Sequence, residues 1–307
     1  MSKQIRFILF FAGRVLFMNI LIPDYYNGFK CVADRCLHNC CIGWEIDIDE
    51  DTLCLYGDIG GEFGKRLKDN ISDDEYPHFI LREHGRCPFL NEKGLCDIIA
   101  ELGDGALCDI CADHPRYRNY FDDRLEMGLG LSCEEAARII LSNENKVKLV
   151  DIDTGVPVAV FPERQRLLDI LQDRSLPLKD RLKELCTLPD KDYFAFFSSL
   201  ERLSGEWDGY LELLKSKTAD ISEFDTVFEQ LAVYFLLRHS AESLLIGSFV
   251  SALSVYIIQK ISAALKYKNG TLTLDEIIEI SRMYSSEIEY SDENTEKMIN
   301  ITKSSSF

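Results

Sequence analysis

Cys31-Val-Ala-Asp-Arg-Cys36-Leu-His-Asn-Cys40-Cys41, residues 31–41, places four thiols in eleven positions. Cys54, Cys87, Cys96, Cys108, Cys111 and Cys133 follow before residue 134, so ten of the chain's eleven cysteines lie in its first half. Neither a solvated loop nor a packed core needs thiols at that density. Disulfides, zinc or an iron–sulfur cluster would. Structural zinc usually takes two C-x2-C knuckles, and only Cys108/Cys111 has that spacing. Adjacent Cys40 and Cys41 cannot easily both reach one tetrahedral ion, whereas a four-iron cluster accepts thiolates from well separated loops. The order is neither C-x2-C-x2-C nor the C-x3-C-x2-C run of radical enzymes, so radical chemistry is not indicated.

Compartment narrows the choice. Residues 5–22 are apolar, but Arg14 interrupts them and leaves only Phe7 to Gly13 as a continuous run, with no small-residue cleavage site after it. Met18 opens a more ordinary sequence, and residues 1–17 are read as an upstream-start extension or a short accessory strand or helix. A cytoplasmic location is therefore expected, where stable disulfides are disfavoured and the cysteines become metal ligands. The 307 residues carry 52 acidic and 34 basic side chains, a formal charge of −18. That charge opposes nonspecific binding to nucleic acid or an anionic membrane and favours cationic partners such as a lysine-bearing substrate.

The expected fold is mainly α: a cysteine-rich metal-cluster region (18–145) packed on a C-terminal helical domain (146–303), with a minor β-hairpin and a frayed tail at 304–307. Leu55, Ile59, Phe63 and Leu67 recur every four residues behind Asp49, Glu50 and Asp51, predicting one helix weakened at Gly60 and Gly61. Pro88 and Gly94 bracket a turn that brings Cys87 to Cys96. Ser132-x-x-Glu135 predicts a capping box with Cys133 in the first helical turn. Val147–Val150 and Val158–Phe161 predict the hairpin, with Pro157 confining it to a sheet edge. Apolar stripes then run through 167–171, 178–186, 194–200 and 207–214, with Cys186 on a core face. Residues 243–259 carry no charge and predict a central buried helix rather than a membrane span, and Thr273-x-x-Glu276 caps the next helix.

Several of these motifs coincide with a known family. Tyr25-x3-Phe29-x-Cys31-x4-Cys36-x3-Cys40-Cys41-x-Gly43-Trp44, Cys87-Pro-Phe-Leu90, Gly94-Leu-Cys96, Leu107-Cys-x2-Cys111-x2-His-Pro-Arg116 and Leu131-Ser-Cys133-x-Glu-Ala-Ala-Arg138 together resemble the flagellin lysine N-methylase family. The N-terminal half is similar to zinc- or iron-chelating CxxxCC domains. Tyr284 to Asn294 resembles a segment in which the family tends to carry Arg and His where this chain has Ser286 and Tyr290. The resemblance implies methyl transfer from S-adenosylmethionine to lysine amines of flagellin by a protein holding an iron–sulfur cluster; 4Fe-4S is the expected form and zinc the alternative. Its ligand candidates are Cys36, Cys40, Cys41, Cys96, Cys108 and Cys111, then Cys31 and Cys87.

Methylating lysine needs a neutral amine aligned with the sulfonium methyl and shielded from water. Aromatic faces and proton acceptors near the cysteine motifs meet those needs, which makes Tyr25, Tyr26, Trp44, His114, Tyr117 and Glu134 the catalytic candidates. No G-x-G-x-x-G loop follows a strand, so the methyl donor is expected in a mainly helical pocket, between the halves or beside the cluster. The rival reading is a noncatalytic iron- or zinc-binding redox sensor or metal carrier.

Overall fold

The structure, a computed structural model, describes residues 8–11, 14–17 and 19–304, with side chains from 19 to 301. Among the described residues the strands are β1 (Ile8–Phe11), β2 (Arg14–Phe17), β3 (Asn19–Pro23), β4 (Arg116–Tyr120), β5 (Arg124–Leu129) and β6 (Leu149–Asp151). The helices of the first half are α1 (Glu50–Asp58), α2 (Gly61–Asp69), α3 (Asp97–Leu102), α4 (Asp109–Asp113) and α5 (Glu134–Leu141). Those of the second are α6 (Pro162–Leu171), α7 (Leu178–Leu185), α8 (Tyr193–Ser198), α9 (Glu206–Leu213), α10 (Asp225–His239), α11 (Leu244–Asn269), α12 (Leu274–Ile288) and α13 (Asp292–Ser304). The chain is mainly helical, as its periodicity predicts. Within the stretch read as an extension, β1 and β2 pair antiparallel. Residues 1–7, and 305–307 of the expected tail, lie outside the described residues.

Two compact units form, and they divide elsewhere than at residue 145. Lys30–Arg116 is one, and the described residues on either side of it make up the other. The physical reason is strand pairing across the insertion: β3 runs parallel to β5 with Leu21 beside Glu126, and antiparallel to β6 with Ile22 beside Val150. The sheet order is β4-β5-β3-β6. Helix α5 then packs on α10 and α12, which ties residues 117–145 to the helical part.

In the flanking unit, α10 and α11 form the centre. Leu253, Ile257, Ile258 and Ile261 of α11 are fully buried, as are Leu231, Phe235 and Leu236 of α10. Helix α11 is long and apolar enough to cross a membrane, but 67% of its apolar window is buried inside the protein. Its serines belong to that packing: Ser251 Oγ donates to the Ala232 carbonyl at 2.7 Å, and Ser254 Oγ bonds the Tyr284 hydroxyl at 2.8 Å. Thr273 and Glu276 form the predicted capping box. The expected box at Ser132 does not form; Cys133 is the N-cap of α5 and no side chain caps that end. The expected hairpin is a short β6 plus a turn, in which Val158 N–H donates to Leu149 at 3.0 Å and Pro157 pairs with Val150 on the far side from β3. Cys186 ends α7, half-buried against the apolar core.

In Lys30–Arg116 the core is Ile46, Tyr56, Leu67, Phe79, Phe89 and Ile98, with buried Cys87 and Cys108 among them. The single helix expected over Leu55 to Leu67 is two helices broken at Ile59-Gly60, and Leu55 is exposed. A Cβ on Gly64 would stand 2.0 Å from the Ile59 carbonyl oxygen, so this close turn requires glycine there. Asp49 caps α1, accepting from Thr52 N–H at 2.9 Å, and also accepts from Asp109 N–H at 2.8 Å, which fixes the start of α4.

Candidate functional site

Local structure in Lys30–Arg116 delivers its thiols from three loops. Cys87 N–H donates to the Cys41 carbonyl at 2.8 Å, so the 40–41 pair lies alongside Cys87. Leu90 pairs with Cys96, and Asp97 N–H donates to Phe89 at 2.8 Å, closing the predicted turn that returns Cys96. Cys108 is the N-cap of α4 and Cys111 lies within its single turn. Backbone N–H groups of Phe89 and Leu90 point at the Cys87 sulfur, and those of Ile98 and Ile99 at the Cys96 sulfur. Such donors favour a thiolate over a thiol.

The six sulfurs interact electrically. A hydrogen bond from Cys41 holds Cys40 at about 7 against the upward pull of burial, and Cys41, the donor, is pushed up. Cys108 is likewise lowered by a hydrogen bond from Cys111, which rises. Burial raises Cys87 to about 11, and negative charge on Cys96 or Cys108 raises it further. Charge on Cys87 or Cys96 raises Cys41; charge on Cys41 or Cys87 raises Cys111. Charge on neighbouring sulfurs thus works against ionisation of Cys41, Cys87, Cys96 and Cys111, an opposition that a cationic core would relieve. Nearby, Nε2 of His114 is buried without a hydrogen-bond partner, and burial, then Arg116, lowers its imidazole to about 4, so the ring is neutral at pH 7. Sulfur donors, N–H groups aimed at them and an orphaned ring nitrogen suit a metal cluster, although no three His, Cys, Asp or Glu among the described residues are drawn into ligating geometry.

The flanking unit holds a second polar centre around Glu289, whose side chain is 2% exposed. Its Oε1 meets Arg238 Nε at 2.8 Å and His239 Nε2 at 2.7 Å. Its Oε2 accepts from Tyr234 at 2.9 Å and Ser285 at 2.6 Å. Burial would raise this carboxyl, but Arg238, His239 and Ser285 outweigh it and hold Glu289 at about 2. The Arg238 guanidinium lies 4.9 Å from the Tyr117 ring, whose edge meets Tyr234 at 6.2 Å. A Cβ on Gly128 would stand 2.2 Å from the Tyr117 ring, so β5 must carry glycine beneath it. Gly128→Ala is accordingly expected to displace Tyr117 and cost about 1–3 kcal/mol through overpacking, read as a lower urea midpoint; an unchanged midpoint would show that the ring moves freely.

The sequence-predicted residues separate. Of the proposed ligands, Cys41, Cys87, Cys96, Cys108 and Cys111 lie within electrostatic reach of one another, Cys40 is exposed but hydrogen-bonded to Cys41, Cys31 is exposed, and Cys36 is half-buried on the loop leading in. Trp44 bonds the Cys40 carbonyl through Nε1 and faces His114 at 6.2 Å between ring centres. Tyr25 and Tyr117 lie in the flanking unit, each within electrostatic reach of the other. Tyr26 is buried in its apolar core, and Glu134 sits at the start of α5, 3.8 Å from Arg138. Glu289, Arg238, His239 and Tyr234 escaped sequence reasoning. The one available signal was the 284–294 segment, which contains Glu289.

Comparison with known proteins bears on this second unit. Residues 189–307 match the family described as the FliB lysine N-methylase C-terminal domain. The lysine-N-methylase of Salmonella typhimurium (strain LT2) is 28% identical over 163 residues, 48% of this chain and 40% of that protein. The flagellar biosynthetic protein FliU of Salmonella muenchen is 28% identical over 134 residues, 41% of this chain and 79% of the relative. The chain thus spans less than half the length of the lysine-N-methylase it matches. No solved structure matches it significantly. Arg238, His239 and Glu289 all lie within the matched residues, where the chain is similar to the FliB lysine N-methylases.

Proposed function

We propose that this chain takes part in S-adenosylmethionine-dependent N-methylation of lysine side chains on flagellin, in the cytoplasm, with an iron–sulfur cluster held in Lys30–Arg116. The observation that carries the reading is the neighbourhood of six thiols in and against the core of Lys30–Arg116, in a chain whose C-terminal part matches a lysine N-methylase domain. Cys40, Cys41, Cys87, Cys96, Cys108 and Cys111 would supply the ligands, about four being needed. When bound, the cluster supplies the cationic core that compensates these thiolates. Trp44 would exclude water from that pocket.

The tyrosines have a defined part in this chemistry. Burial pushes Tyr25 and Tyr117 well up, so both phenols stay protonated at neutral pH and are not bases. They present ring faces, which attract a sulfonium or an ammonium. Glu289, held ionised by Arg238 and His239, is saturated with donors and orients them. Lysine, with a reference pKa of about 10.4, reaches its neutral form by desolvation among such rings.

The test is incubation of the anaerobically prepared full chain with S-adenosylmethionine and flagellin, followed by intact mass of flagellin. Stepwise gain of methyl groups on lysine is expected. An unmodified flagellin beside a metal-loaded chain would instead make the protein a metal carrier or sensor.

A further inference from the structure

Arg238 has more hydrogen-bonding capacity than its surroundings use. It ends α10, where arginine commonly serves the exposed carbonyls of a helix C-terminus. Here those carbonyls are already served: Asn119 donates to Leu237 and Arg238 at 2.9 and 3.0 Å, and Arg164 donates to Leu237 at 3.3 Å. Among the described residues, only the Nε of the guanidinium's five N–H groups meets an acceptor, Glu289 at 2.8 Å. The side chain keeps 15% exposure, so the terminal nitrogens reach solvent.

Two aromatic rings frame that free edge. Tyr117 lies 4.9 Å from the guanidinium carbon and Tyr290 lies 5.9 Å from it, the latter ring being 44% exposed. Gly128 beneath Tyr117 and Glu289 behind Arg238 fix both partners before any ligand arrives. A planar fork between ring faces suits a ligand with a carboxylate for the fork and a nearby positive charge for the rings. The methionine portion of a sulfonium methyl donor has both.

We infer that Arg238, framed by Tyr117 and Tyr290 and fixed by Glu289, is the carboxylate-binding subsite for the methionine portion of S-adenosylmethionine. This rests on the methyltransferase reading above and goes further by placing the donor's carboxylate on an arginine of the helical unit. Arg238 binds and orients; it takes no proton. A lysine in its place would keep the charge beside Glu289 and lose the fork.

Calorimetry on the anaerobically prepared full chain, with S-adenosylmethionine and its decarboxylated analogue as probes, tests this. Wild type is expected to prefer the carboxylated donor on the order of 30-fold, the worth of a charge-assisted pair of hydrogen bonds. Arg238→Lys should cut that preference to a few-fold with an unshifted melting transition, and Arg238→Met should abolish it. Should the methionine variant fail to fold, the lysine variant decides. Equal binding of both probes by wild type, or full preference in Arg238→Lys, overturns the subsite while leaving methyl transfer to flagellin intact. A wild type that binds neither probe and leaves flagellin unmodified removes the subsite and the methyltransferase reading together.

Discussion

Cys108→Ser/Cys111→Ser will lose most of its iron when prepared anaerobically, whereas Cys54→Ser will retain the wild-type content. Cys108 is 1% exposed and sits in the core of Lys30–Arg116, and its negative charge is felt at Cys87 and Cys96. Cys111 exchanges a hydrogen bond with it and senses Cys41 and Cys87. Removing the pair takes two sulfurs from the group and leaves four, of which adjacent Cys40 and Cys41 do not easily serve one site together, so three remain for about four positions. Cys54 lies exposed on α1, outside that core. Iron analysis with visible absorption checks the result. Equal iron in both variants would mean that the thiol pocket is not the binding site.

Glu289→Gln should cost about 3–5 kcal/mol of stability, the range for breaking one partner of a buried ion pair. The carboxylate serves Arg238, His239, Tyr234 and Ser285 at once. An amide keeps the shape but turns a donor group toward donors and leaves Arg238 uncompensated. The pH dependence has a definite sign. Glu289 is held at about 2, below its ordinary 4.5, so its contribution is complete above about pH 4.5 and fades as pH falls toward 2. Urea unfolding of wild type and variant should therefore differ most near neutrality and converge in acid. A difference that stayed constant down to pH 2 would place the effect in packing rather than charge.

How much of this was legible follows from how far apart in sequence the interacting residues lie. The uncharged run at 243–259 read as a buried core helix because packing alone dictates it, and α11 is one. Thr273 and Glu276 read as a cap because the motif is local. The thiols were visible from density, and the Pro88–Gly94 turn from turn chemistry. Two local readings failed for stated reasons: the helix over Leu55–Leu67 breaks at Ile59-Gly60 under close packing at Gly64, and Cys133 displaces Ser132 as cap. Nonlocal features were out of reach. The β3–β5 pairing joins Leu21 to Glu126 across an inserted unit, which is why the unit boundary falls at Lys30 and Tyr117. The polar centre takes Tyr117 from β4, Tyr234 and Arg238 from α10, and Glu289 from the end of α12, and no spacing rule connects the three segments. The family resemblance was drawn from the cysteine motifs, yet the matching family domain covers the helical residues 189–307.

The most direct measurement is iron and acid-labile sulfide analysis of the anaerobically purified full chain, with free-thiol titration alongside. About four irons and four sulfides per chain, with iron–thiolate absorption in the visible, are predicted. A colourless protein without metal, its cysteines joined in disulfides, would contradict the account.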